Sequence, residues 1–195
     1  MSNSTGAFGL RPIKHRDGTP WNGATIKVYI SADDTTALFV GDPVVYEQTL
    51  ARKEATVKYL TVEKAANVVV AGVIVGFEPD PTNLELRHRT ASTARWAYIT
   101  VGGELVYEIR GDTTAPTAVF VGQNAEMTHG SGSTVTGLSG TILDTSTPTT
   151  TQTYPLHILG IKDVEDNELM GSCVYEVLLN TYPLAAGNHV GVTAS

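Results

Sequence analysis

The apolar residues of this chain come in short runs, and Gly or Pro closes most of them. The longest, Val68 to Val75, spans eight residues and is dominated by β-branched side chains. That is too short for an ordinary helix and long enough for a strand buried on both faces. Elsewhere the period is two: Ile26, Val28 and Ile30 alternate with Thr25, Lys27 and Tyr29, the pattern of a half-buried strand. Pro43 cannot donate to a ladder and so opens the next strand, Val44 to Glu47. Trp96–Val101 and Leu105–Arg110 flank Gly102-Gly103, which predicts a hairpin. Ala37–Val40, Ala118–Val121, Leu156–Ile161 and Ser172–Leu179 read as further strands. Only the stretch from Thr49 to Ala66 is ambiguous. Leu50–Ala55 can make a helical turn there, while Val57, Tyr59 and Thr61 alternate as in a strand.

Composition agrees with strands. The 195 residues include 27 Thr and 19 Gly, a mixture that favours pleated surfaces joined by tight turns. Eight to ten short strands, without a fixed repeat or heptads, predict an all-β single domain of the jelly-roll, barrel or sandwich kind. A chain of this length buries roughly two-thirds of its unfolded surface. The domain is expected over 25–182. Residues 1–24, with Phe8, Leu10, Ile13 and Trp21 scattered among Gly, Pro and charges, read as an extended N-terminal arm, and 183–195 as a tail. Thr128–Gly140 and Asp144–Thr153, rich in Thr, Ser and Gly, read as surface loops.

Several function classes are disfavoured. A formal net charge of -7 repels a polyphosphate, so no nucleic-acid partner is expected. The densest basic stretches are Lys14-His15-Arg16 and the pair Arg87 and Arg89 around His88, and neither interleaves aromatics. No apolar run approaches the roughly 20 residues of a membrane helix, and no secretory leader is read at Met1–Gly6. The single Cys173 suits a reducing cytoplasm.

The residues carry no expected catalytic chemistry. Asp163, Glu165, Asp166, Asn167 and Glu168 supply oxygens suited to a hard cation, but their spacing is not that of an EF-hand and the plain reading is a solvated turn. Histidines at 15, 88, 129, 157 and 189 are dispersed. Gly130-Ser131-Gly132-Ser133 has no helix pattern after it, and Cys173 sits in a strand-like run. His15-Arg16-Asp17, Arg110-Gly111-Asp112 and Asn3-Ser4-Thr5 copy short kinase, integrin-binding and glycosylation motifs without their context. No catalytic residue, metal or cofactor is assigned, and the chain is not expected to be an enzyme.

Taken in order, a set of landmarks resembles a family of tailed-bacteriophage virion proteins, the capsid decoration or cement proteins. The landmarks are Ala7-Phe8-Gly9-Leu10-Arg11-Pro12 with His15 and Gly18, then Gly41-Asp42-Pro43-Val44, then Trp96–Ile99 and Leu105–Arg110. Val121-Gly122-Gln123-Asn124, Gly137-Leu138-Ser139-Gly140, Pro155–Ile161, Asp166-Asn167-Glu168 and Val174–Asn180 complete it, so the resemblance covers about residues 7 to 182. It implies a β-rich protein made in the bacterial cytoplasm and assembled, as a homotrimer, on the outer face of the head. Its partners would be the major capsid protein of the same phage and its own copies. On this reading Phe8, Leu10, Arg11, Pro12, Ile13 and Trp21 form a capsid-contact arm that orders on binding. Two other readings compete. One is a tail, head-fibre or receptor-binding virion protein using Trp21, Trp96 and the tyrosines. The other is a small β-barrel enzyme or ligand-binding jelly roll.

Overall fold

A computed structural model describes residues 3–47, 59–67, 69–117 and 120–183. The described residues contain twelve strands and no helix, so the fold is all-β. They form two five-stranded antiparallel sheets and one two-stranded hairpin.

The first sheet has β1 (Arg11–His15) at one edge, followed by β7 (Leu105–Arg110), β12 (Val174–Leu179), β11 (Leu156–Ile161) and β8 (Asn124–Ala125). Alternation decides its two faces. Leu105, Tyr107 and Ile109 on β7, with Tyr175, Val177 and Leu179 on β12, point into one apolar core. Each such side chain is worth roughly 1.5–3 kcal/mol in burial. Glu108 and Glu176 oppose each other on the outer face, a like-charge pair that would weaken the sheet alone. Cations offset it: Arg11 and Lys162 lie 2.8 and 2.6 Å from the Glu108 carboxylate, and Lys14 lies 2.8 Å from that of Glu176.

The second sheet runs β2 (Ile26–Ile30), β6 (Arg95–Ile99), β5 (Gly72–Phe77), β3 (Pro43–Tyr46) and β4 (Val62–Lys64). Its two edges meet. Tyr29 on β2 bridges Thr61 beside β4, and the Tyr29 N–H donates to the Leu60 carbonyl at 2.9 Å. The sheet thus curls towards a small barrel around Val28, Ile30, Leu38, Val44, Val62, Ile74, Ala97 and Ile99. On β5, Ile74 fills this barrel while its neighbour Val73 fills the first core. Burial on both faces is why the sequence there is apolar without alternation.

The hairpin β9 (Met127–Gly130) and β10 (Gly140–Leu143) joins the sheets. Leu143 bridges Gly111 at the end of β7, and Leu138 bridges Val40 ahead of β3. The sequence reads Thr128–Gly140 as loop, yet its first residues and its last form this ladder. A second difference concerns Gly102-Gly103. β6 and β7 do not pair: one belongs to each sheet, and the Gly pair carries the chain between them. Thr100 takes the place of hairpin pairing, since its N–H donates to the Val73 carbonyl at 2.9 Å and its hydroxyl meets the Tyr107 hydroxyl at 2.8 Å.

The expected strand Ala118–Val121 falls partly outside the described residues, and Phe120 and Val121 border a turn. Leu50–Ala55 and most of the tail 183–195 also lie outside them.

Candidate functional site

The six residues read as an arm lie along a strap bound to this chain's own body. It begins at Asn3, whose side-chain amide donates to the Glu168 and Gly171 carbonyls (2.8 and 3.2 Å) and accepts from the Glu168 N–H at 2.8 Å. Leu10 is only 1% exposed and joins the first core. Arg11, Pro12 and Ile13 lie in β1, paired with β7 across a bulge between Pro12 and Lys14. A turn at Arg16–Gly18 then reverses the chain, and the Trp21 N–H donates back to the Ile13 carbonyl at 3.3 Å. Part of the segment expected as an extended N-terminal arm is thus an intramolecular strand. Local sequence could not supply its partners, because Gly41, Glu108, Glu168 and Glu176 are all distant in the chain.

Three segments far apart in sequence, around Gly9, Gly41 and Ser139, meet along this strap. Gly9 has φ +70°, and a Cβ on it would lie 2.4 Å from the Gly41 carbonyl oxygen and 2.7 Å from the Ser139 Cβ. Gly41 has φ +93°, and a Cβ there would lie 2.4 Å from the Phe8 carbonyl oxygen. Only glycine allows the three segments to touch. The Leu10 N–H donates to the Gly41 carbonyl at 2.9 Å, and the Ser139 N–H to the Val40 carbonyl at 2.8 Å. Beneath them Asp42 is fully buried. Its Oδ1 accepts from Ser139 Oγ at 2.6 Å and from Thr141 Oγ1 and Lys64 Nζ at 3.2 Å each, and its Oδ2 accepts from the Phe39 N–H at 2.8 Å. A buried charge satisfied on both oxygens is costly to move, so the junction is rigid.

A groove of about 560 Å³ opens against this junction. Phe8, Leu10, Arg11, Pro12 and Trp21 contribute to its wall from the strap, and Val40, Val75, Tyr98 and Leu138 from the other segments. Five of the six residues assigned from sequence therefore line one concavity, and Ile13 does not. Arg11 lies over the Phe8 ring at 4.5 Å and pairs with Glu108, so this cation of the rim is held in place. Apolar walls of this kind suit side chains of another protein.

Two loops beside one another present apolar tips. Leu84 is 80% exposed and Val135 83%. A Cβ at Gly137 would meet the Arg87 Cβ at 2.6 Å, so the loops carrying them are in contact. Neither tip is slack. The Gly137 N–H donates to the Ser133 carbonyl at 2.8 Å, and the Leu86 N–H to the Asn83 carbonyl at 3.1 Å. Two arginines fasten the 78–95 excursion from inside. Arg89, with no exposure, donates to the carbonyls of Ser31, Asp34, Thr36 and Thr93, and Arg95 to those of Glu78, Leu86 and His88. No sequence pattern signalled this role.

The other candidates from sequence are placed as follows. Cys173 is buried in the first core, where burial pushes its thiol pKa up. Asn167 turns inward, donating to the Lys162 and Val174 carbonyls at 2.8 and 3.0 Å, and so closes the β11–β12 turn. Among the described residues, no group of His, Cys, Asp or Glu is placed to hold a metal ion, and no helix is long and apolar enough to cross a membrane. His157 Nδ1 meets Asn124 Oδ1 at 2.7 Å at the sheet edge. On the outer face of β2 and β6, Trp96 stands edge-on to Tyr29 and Tyr59 with ring centroids 5.2 and 4.6 Å away, beneath Lys27. No family model, curated protein or solved structure matches the chain.

Proposed function

We propose that this chain is a structural virion protein that binds the outer surface of a tailed-phage capsid as a decoration protein, bridging capsid subunits. The observation that carries the reading is the apolar groove at the junction of the strap with the two sheets. It is lined by segments on which the family resemblance rests, residues 7–12 and 137–140. A protein that works by adhesion needs rigid apolar contact surface, and rigidity lowers the entropy lost on docking. The groove supplies such a surface, and the braced tips Leu84 and Val135 supply a second. Repeated weak contacts of this kind add up on a lattice, and binding then stabilises both shell and guest. The partner is the major capsid protein, with further copies of this chain, as a trimer, alongside it.

Co-sedimentation of the purified chain with phage heads tests the reading. Phe8→Ala and Val75→Glu change the groove lining and leave both cores in place, so each variant should keep its thermal midpoint and bind heads at least about tenfold more weakly. Unchanged binding by both variants would contradict the assignment.

A second reading, a tail or receptor-binding virion protein, has one observation in its favour. The Tyr29–Trp96–Tyr59 cluster borders a groove of about 470 Å³ that also carries Glu78 and Asp80, and aromatic faces beside carboxylates suit a sugar. Binding to host-surface glycans, with none to heads, would favour it.

A further inference from the structure

Two histidines adjoin the Asp42 junction, His129 through Thr141 and His88 through Phe39. His129 on β9 faces Thr141 on β10, its Nδ1 3.3 Å from Thr141 Oγ1. Thr141 donates its hydroxyl hydrogen to Asp42. It can therefore only accept from His129, which puts the ring proton on Nδ1 and leaves Nε2 a bare acceptor. That Nε2 is buried and has no hydrogen-bond partner among the described residues. A proton added there meets no acceptor and sits in the field of Lys64 from β4. Asp42 is the carboxylate that favours the charged ring, and its Oδ1 already receives three donors.

His88 reaches the junction through Phe39. Its ring stacks on Phe39 with centroids 5.0 Å apart and planes 8° apart, and its Nδ1 is likewise buried without a partner. Phe39 donates its N–H to Asp42, and its ring fills the space beside Gly132, in the loop that β9 and β10 enclose. Arg95 of β6 is a cation acting on His88. In the chain Arg87 and Arg89 flank it, Arg89 being paired with Asp34 at 3.3 Å. Burial, and then the neighbouring cation, hold both imidazoles below their ordinary pKa, with Asp42 offsetting this in part at His129.

We propose that His88 and His129 form an acid-sensitive latch: protonation of the two rings releases the β9–β10 hairpin and its loop from the barrel. The groove wall changes with it, because Val40 and Leu138, hydrogen-bonded neighbours of the junction, are part of that wall. The latch is a property of the isolated chain. Its consequence, weaker attachment to heads in acid, rests on the function proposed above.

Amide hydrogen exchange on the isolated full chain tests the latch, with rates corrected for the intrinsic effect of pH. The comparison runs between about pH 7.5 and about pH 5, where histidines titrate and ordinary carboxylates stay ionised. The amides of Val40, Ser139 and Thr141 should lose about tenfold or more of their protection at the lower pH, while those of Tyr175 and Val177 keep theirs. In the double variant His88→Phe, His129→Asn, the stack and the donor to Thr141 remain and neither side chain titrates. Its protection should be the same at both values. Unchanged protection in the native chain, or an equal loss in the double variant, would overturn the latch. If the double variant does not fold, the ring resonances of the native chain decide: titration that tracks loss of protection supports the latch, and titration with protection intact overturns it. Exchange is read without phage heads, so its outcome stands whether or not the chain binds them.

Discussion

Replacing Leu10 by Ala asks whether the N-terminal strap belongs to the folded body. The side chain is 1% exposed and sits in the core that Val73, Leu105, Met127 and Leu143 share. Truncation removes three carbons, about 2.4 kcal/mol of transfer free energy at about 0.8 per carbon. A cavity left by incomplete collapse adds to that, and buried Leu→Ala changes span about 2–5 kcal/mol. The backbone hydrogen bond from residue 10 to Gly41 survives the substitution, so the change reports packing alone. A loss of about 3 kcal/mol is expected, lowering the thermal midpoint by roughly 6–12 °C for a chain of this size. Urea unfolding should show a lower midpoint with an unchanged slope. Phe8→Ala, on the groove and outside the core, serves as the control and should cost under about 1 kcal/mol. A Leu10→Ala loss under about 0.5 kcal/mol would mean that the strap is not docked in solution.

Other outcomes follow from the same geometry. Gly9→Ala places a Cβ against the Gly41 carbonyl at a positive φ, and should leave little folded protein in a thermal melt. Glu108→Gln breaks the contacts with Arg11 and Lys162, both partly exposed, and should cost about 1–2 kcal/mol in urea unfolding. Stability should fall as pH drops below the ordinary histidine value of about 6.5, because His88 and His129 take up protons more readily when unfolded. A further fall is expected below the carboxylate range. Burial pushes Asp112 up, but hydrogen bonds from Thr145 and Thr114 outweigh it and lower its pKa, so its stabilisation is lost as it protonates. Chemical denaturation across pH reads both steps, and a flat profile from pH 7 to pH 5 would refute the first.

Strand existence was legible because its signal is local. Alternation at 26–30, Pro43 opening β3 and the run 156–161 became strands where the pattern put them, the run 172–179 became β12 from Val174 onward, and Ala37–Val40 shrank to isolated bridges at Leu38 and Val40. Partner choice is not local. Gly102-Gly103 looked like a hairpin turn, yet Thr100 turns to Val73 and Tyr107, and the flanking strands join different sheets. Arg89 stood in a basic stretch that suggests solvent. It is buried because carbonyls more than fifty residues away receive its guanidinium. The strap shows both sides of this. Its scattered apolar residues Phe8, Leu10 and Trp21 are visible in the sequence, but the groove they line with Arg11 and Pro12 is built on this chain's own body. The Asp42 network, spread over residues 39, 64, 139 and 141, had no signature in the sequence at all.

The proposed role of this β scaffold is to cover a phage head. Immunogold labelling of purified virions, with copy number from gel densitometry, tests it most directly. Label over the whole head, at a copy number commensurate with the capsid lattice, is the predicted result. Label confined to the tail or fibres in a few copies, or absent from the particle, would contradict it.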